Sequence, residues 1–189
     1  MRTAVLFLTL AGLALTAAAC AQPDAPDAPA VTADPGAAAE RTFENDAFIL
    51  TVPAGWGMSM SGGDYFDLGT REVITFYNDP LRTDAKAFLT VSSAALEPGE
   101  DLEQRANAAY SVQQTGIEDL VLKPYEQGGM TGIEAAYLRP WGEPWWQFRD
   151  VWLLQDGVAY LLSFHSYPDN FAPNADLFDA MLKSFSFKD

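Results

Sequence analysis

The chain has 189 residues, with 26 Asp and Glu against 11 Lys and Arg, a formal charge of −15 and one cysteine. No basic run exceeds one residue, which argues against nucleic acid and against electrostatic attachment to anionic lipid, since both depend on clustered Lys and Arg. A lone cysteine excludes an intramolecular disulfide, so stability has to come from a hydrophobic core, for which 12 Phe, 7 Tyr and 5 Trp supply material.

In chain order, an apolar run from Ala4 to Leu15 follows Arg2 and leads through Thr16-Ala17-Ala18-Ala19 to Cys20. A positive start, an apolar stretch and small residues before a cut are the parts of an export signal. The run is shorter than the about 20 apolar residues of a spanning helix. The stretch resembles the lipobox of bacterial lipoproteins, which implies removal of residues 1–19 and acylation of Cys20. Several acyl chains, at about 0.8 kcal/mol per buried methylene, make release from a bilayer negligible. Ala17 stands where that pattern commonly has Leu, and Ala17-x-Ala19 also fits an ordinary signal-peptidase cut that leaves a free thiol. Ala21 is not Asp, which by the same resemblance favours the outer membrane over the inner. The expected location is therefore the periplasmic side of a bacterial membrane, held through the N-terminal lipid.

Residues 23–40 are almost entirely Pro, Ala and Asp and cannot bury enough apolar surface to offset ordering entropy. Residues 20–40 are read as the acylated Cys and a tether. At up to about 3.1 Å per residue a proline-rich segment of this length spans some 50 Å. Residues 41–189 form one domain of ordinary size, with 22 acids against 10 basic residues. That excess is first of all a solubility device and secondly a docking face for a basic partner.

Phe48 to Val52 reads as a short strand stopped by Pro53, followed by the turn Ala54-Gly55-Trp56-Gly57. Strand-like runs recur at Glu72 to Tyr77, Ala87 to Ser92, Leu120 to Tyr125, Ile133 to Leu138, Trp145 to Gln155 and Val158 to Ser166. A helix is predicted over Asp101 to Gln114, where acids meet the positive end of the dipole and Leu102, Ala106, Ala109, Tyr110 and Gln113 form one stripe. A second is predicted over about Ala175 to Ser184, with Leu177, Phe178, Met181, Leu182 and Phe185 at helical spacing. Asp156-Gly157 predicts a two-residue type I′ hairpin. Register then places Leu154 opposite Ala159, Trp152 opposite Leu161, Asp150 opposite Ser163 and Phe148 opposite His165. Both faces of this hairpin are largely apolar, so both need cover, by helices on opposite sides of an antiparallel sheet.

Phe48-x-Leu50-x-Val52-Pro53-x-Gly55-Trp56, a mid-chain helix, Gly132-Ile133-Glu134-Ala135 opening a strand, a long hairpin and a closing helix ending Lys183-Ser184-Phe185 together resemble the PsbP and DcrB-like group. The resemblance spans residues 43 to 188. It implies an α+β fold, an antiparallel sheet of about six to seven strands flanked by helices in an αβα sandwich. It also implies a non-enzymatic accessory role for an exported protein, and it carries no binding residues over to this chain.

Four constellations bear on function. Asp150, Ser163 and His165 share a face of the hairpin and invite a hydrolase reading. Mid-strand serine, however, has its backbone amides committed to the ladder, and no Gly-x-Ser-x-Gly elbow exists, so the trio reads as a buried polar patch. Glu100-Asp101-x-Glu103 reads as helix-start chemistry in preference to a metal site. Met58, Met60 and Met130 could offer thioethers to Cu(I) but are also ordinary gap fillers. No catalytic, cofactor or metal residue is assigned. Trp141 and Trp145, with Tyr167 and Phe171 at the far end of the paired strand, form a candidate partner-binding patch, since tryptophan is over-represented among binding anchors. The expectation is a membrane-anchored lipoprotein that binds a protein partner as an accessory or assembly factor. A carrier or sensor of a small apolar ligand is the alternative, and a hydrolase the third reading.

Overall fold

The computed structural model describes residues 39–60, 62–65, 68–79, 85–112, 116–140 and 144–188. Eleven strands and two helices follow in the order β1 (Arg41–Glu44), β2 (Phe48–Val52), β3 (Gly57–Ser59), β4 (Asp64–Tyr65), β5 (Thr70–Tyr77), β6 (Ala87–Ala95), α1 (Leu102–Val112), β7 (Glu118–Gln127), β8 (Met130–Arg139), β9 (Trp146–Gln155), β10 (Val158–Ser166), α2 (Pro168–Ser184) and β11 (Ser186–Phe187). One large antiparallel sheet runs β3-β5-β6-β10-β9-β8-β7, with β4 also paired to β5. A second sheet, β1-β2-β11, stands apart from it. The fold class is α+β, as expected, but the Phe48–Val52 strand belongs to the small sheet and leaves the large one.

The hairpin register is the expected one. Asp150 faces Ser163, Phe148 faces His165 and Trp152 faces Leu161. Asp156 and Gly157 both have positive φ, 51° and 76°, as a type I′ turn requires. The pair Gly128-Gly129, at φ 61° and 85°, makes the same kind of two-residue turn between β7 and β8.

Two cores lie on opposite faces of the large sheet. One gathers Phe48, Leu50, Val52, Trp56, Phe76, Leu89, Val151, Phe164, Phe178, Met181 and Leu182, so α2 and the small sheet cover that face. The other gathers Ala106, Ala109, Tyr110, Tyr137, Phe148, Trp152 and Leu161 beneath α1. The motif residues are structural. Trp56 N–H donates to Pro53 O at 3.3 Å with Gly55 at φ 82°, a turn that needs glycine, and it buries the indole to 3% exposure. Ser184 Oγ accepts from Thr51 N–H at 2.9 Å and donates to Met181 O at 2.8 Å, tying the end of α2 to β2, while Phe185 stacks on Phe48 at 5.1 Å.

Helix α2 begins seven residues before the predicted start. Pro168 occupies its first turn, where the missing N–H has no helical partner in any case. Pro173 lies inside it, and Asn174 Nδ2 donates to Asn170 O at 2.7 Å close by.

Gly132 tests the packing of the sheet. A Cβ there runs into the Trp152 carbonyl oxygen and the Leu153 side chain, so the β8–β9 ladder would have to separate. We expect Gly132→Ala to lower unfolding free energy by about 3 kcal/mol or more. Gly99→Ala, at φ 86° with nothing within 4 Å, should cost only about 1 to 2 kcal/mol of backbone strain; chemical denaturation of the two variants measures the contrast.

Candidate functional site

The α1 face of the large sheet carries side chains in rows, because antiparallel register sets residues of successive strands side by side. One row is aromatic: Tyr137, Phe148, His165 and Phe88 face one another across β8, β9, β10 and β6. Their rings stack at 4.9, 5.1 and 5.2 Å with interplanar angles of 4°, 18° and 9°. The next row is polar: Asp150, Ser163, Thr90 and Thr75 face one another across β9, β10, β6 and β5.

The structure therefore brings Asp150, Ser163 and His165 to one face, and it seals them there at 0%, 0% and 4% exposure. Asp150 Oδ2 accepts from Tyr110 OH at 2.7 Å and from Tyr137 OH at 3.0 Å, and Tyr110 OH accepts from Trp152 Nε1 at 2.9 Å. The carboxylate thus joins α1, β8 and β9. Ser163 Oγ and Asp150 Oδ1 make no hydrogen bond of good geometry, although the hydroxyl is close enough to lower the Asp150 pKa somewhat. Burial outweighs this and pushes Asp150 up to about 6, against the nearby Ser163 hydroxyl and the hydrogen bonds from Tyr110 and Tyr137, which favour the charge. Burial pushes His165 down to about 3, opposed by a hydrogen bond to the Ser163 backbone, and its ring lies between two phenyl faces. A neutral imidazole clamped in a stack does not swing to a nucleophile, and no substrate reaches the serine without opening the core. Asp150 and Ser163 belong to the buried polar row and His165 to the aromatic row beside it.

Arg149, the residue before Asp150, points to the other face. Its guanidinium bonds Glu134 Oε1 at 3.0 Å and Asp179 Oδ1 of α2 at 2.7 Å and lies 5.2 Å from the centroid of the Phe178 ring. Burial works against its charge, but these two carboxylates raise its pKa.

The remaining sequence candidates are placed as follows. Asp101 and Gln104 form a reciprocal cap at the start of α1, at 2.8 and 3.0 Å, and Glu100 bonds Arg105 at 3.1 Å. Met58 and Met60 are exposed on and after β3 at one edge of the sheet, while Met130 lies on β8 near the other; the three are not brought together. Among the described residues no group of three or more His, Cys, Asp or Glu is placed to hold a metal. Trp141 lies outside the described residues. Trp145 is half-buried just before β9. Tyr167 packs on Trp146 at 4.3 Å and joins the α1-side core, whereas Phe171 packs on Phe164 at 4.9 Å and joins the α2-side core. Tyr167 and Phe171 thus share a strand end and not a surface.

What the sequence reading missed is an open groove of about 750 Å³ between α1 and the β7 edge of the sheet. Leu102, Ala106, Leu122, Pro124, Ile133 and Leu154 give it an apolar lining, with Asp101 and Glu103 at the helix side. The consecutive apolar residues Leu120-Val121-Leu122 were a usable signal: a strand with apolar side chains on both faces at the end of a sheet leaves one face uncovered.

The two buried titrating groups predict a pH signature. Asp150 has a folded pKa above the ordinary 3.8 of an aspartate, so its contribution to stability falls as pH rises from 3.8 to about 6. His165 has a folded pKa below 6.5, so its contribution is complete above 6.5 and is lost as pH falls towards about 3. Between about pH 4 and 6 the two slopes oppose and cancel. Asp150→Asn should expose the histidine, giving stability that rises with pH over this window. His165→Phe should expose the aspartate, giving stability that falls, each by up to about 1.4 kcal/mol per pH unit. Denaturant unfolding from pH 4 to 7 reads both, and variants that keep the wild-type profile would refute the assignment.

Neither a protein-family model nor a curated protein matches the chain. Among solved structures, cyanobacterial PsbP (CyanoP) from Synechocystis sp. PCC 6803 is similar with a TM-score of 0.60 at 15% identity, covering 81% of this chain and 95% of that one. A crystal structure from Bacteroides thetaiotaomicron VPI-5482 aligns with 75% of this chain and 45% of its own, at TM-score 0.49 and 11% identity. PA94 from Pseudomonas aeruginosa aligns over 77% and 95%, at TM-score 0.49 and 8% identity. The two-core sheet sandwich described above is a PsbP-like domain in its fold.

Proposed function

We propose that this protein is a non-catalytic accessory module, exported and held to a bacterial membrane by lipid on Cys20, that binds a protein partner. The observation that carries the reading is the uncovered apolar surface of the α1 side. On that face Leu122 is 37% exposed and Leu154 43%, and both line the groove. A contiguous apolar surface of this kind marks interaction sites on domains that are otherwise acidic and soluble. The burial of Asp150, Ser163 and His165 supports a binding role over a hydrolytic one, and so does the accessory role that the PsbP resemblance implies. A tether of some 50 Å, at about 3.1 Å per residue, suits a partner that stands off the bilayer.

In-cell crosslinking of the tagged protein, followed by mass spectrometry, should recover a protein partner. Leu122→Lys should lose it, and Trp145→Ala, away from the groove, should keep it. Loss with Trp145→Ala alone would move the surface to the strand-end aromatics; no enriched partner would overturn the reading. Mass analysis of the membrane fraction should find an acylated N-terminal Cys20. A soluble form with an unmodified thiol would replace the anchored protein by a free one.

A further inference from the structure

Helix α1 has eleven residues, about 16 Å at 1.5 Å per residue, and packs over β8 and β9. Beside it, Leu122 and Pro124 of β7 form the far side of the groove and Ile133 and Leu154 complete its apolar lining. The charges around it are mostly acidic. Asp101 and Glu103 line the helix side, and Glu126, exposed opposite Thr131 of the lining, continues the strand side. Of the cations, Lys123 is itself in the lining and pairs with Glu134 at 3.1 Å, and Arg105 pairs with Glu100 at 3.1 Å.

The geometry also selects how an occupant is bound. β7 ends the sheet, and an open edge invites an added strand. This edge is blunted three times over. Pro124 has no N–H, Lys123 stands beside it, and the register shifts between Glu118 and Val121, with Asp119 at φ 55°; these are devices by which natural sheets refuse another strand. What docks here does so through side chains, on the sheet face next to α1. A helix laid about 8 to 10 Å from α1 completes that layer. It sets apolar residues at i, i+3, i+4 and i+7 onto Leu122, Ile133 and Leu154, and its flanks meet Glu103 and Glu126.

We propose that the α1–β7 groove binds an amphipathic, Lys- or Arg-bearing helix of a protein partner; this rests on the protein-binding reading above. The test uses two synthetic peptides of identical Leu and Lys content, one arranged with the helical period and one strictly alternating, and a third in which Glu replaces Lys in the helical arrangement. With isotope-labelled protein, the helical Leu/Lys peptide should give saturable NMR shifts at the methyls of Leu102, Leu122, Ile133 and Leu154. Leu122→Lys, at an exposed position, should abolish them, and Glu103→Lys combined with Glu126→Lys should weaken binding at least tenfold. Equal binding of the alternating or the Glu-bearing peptide, or shifts that map away from the groove, would overturn the proposal. So would small apolar compounds that shift the same methyls while neither Lys peptide does. The two readings fail separately: a native partner still crosslinked to Leu122→Lys removes the groove and leaves protein binding intact, whereas no partner of the wild type removes both.

Discussion

The architecture turns on a pair of adjacent residues in the middle of β9. Alternation along a strand sends neighbours to opposite faces, and here Asp150 takes one face and Arg149 the other. Asp150 holds α1 through Tyr110, and Arg149 holds α2 through Asp179. Each helix is therefore located on the sheet by a charge-assisted hydrogen bond as well as by apolar packing, and such bonds are directional where packing is not. A buried charge is costly unless its partners are complete. Burial raises the pKa of Asp150 even though two tyrosine hydroxyls donate to it.

That arrangement explains why a Ser, His and Asp grouping appears inside the core. A seven-strand path through a sheet needs something at every position of every row. On this face one row was filled with stacked rings and the next with hydroxyls and a carboxylate. Thr75 and Thr90 bond each other at 2.8 Å, and Thr70 and Ser92 do the same at 2.8 Å. Hydroxyl pairs satisfy one another locally, whereas Asp150 needs donors from another layer, and α1 brings Tyr110 to it.

Much of the frame was legible because it is written in short-range patterns. The Asp156-Gly157 turn fixed a register of nine pairs, and the fit of that register to the structure carried Asp150, Ser163 and His165 to their correct face. The early start of α2 was hidden by Pro168 and Pro173, which read as breakers until their positions in the helix are known. The small sheet was hidden because its strands are four, five and two residues long and β11 pairs with β2 across most of the domain. No local signal reports such a pairing. The groove stayed out of sight for a related reason: it follows from α1 packing over β8 and β9 beside β7, which is a property of layers and not of any segment. The strand-end aromatics Tyr167 and Phe171 were correctly neighbours in sequence, but α2 starts between Tyr167 and Phe171 and turns the latter to the opposite core.

The closure of the small sheet has a consequence for when this molecule can fold. Ser186 pairs with Ile49 and Phe187 with Phe48, and Ser184 and Phe185 latch the same strand. A ribosome delivers residues 48 and 49 long before residues 184 to 187, so the core on the α2 side stays open until synthesis is nearly over. Contacts of this sequence separation are slow to form. The emerging chain is thus kept loose on that side by its own topology until its last residues are made.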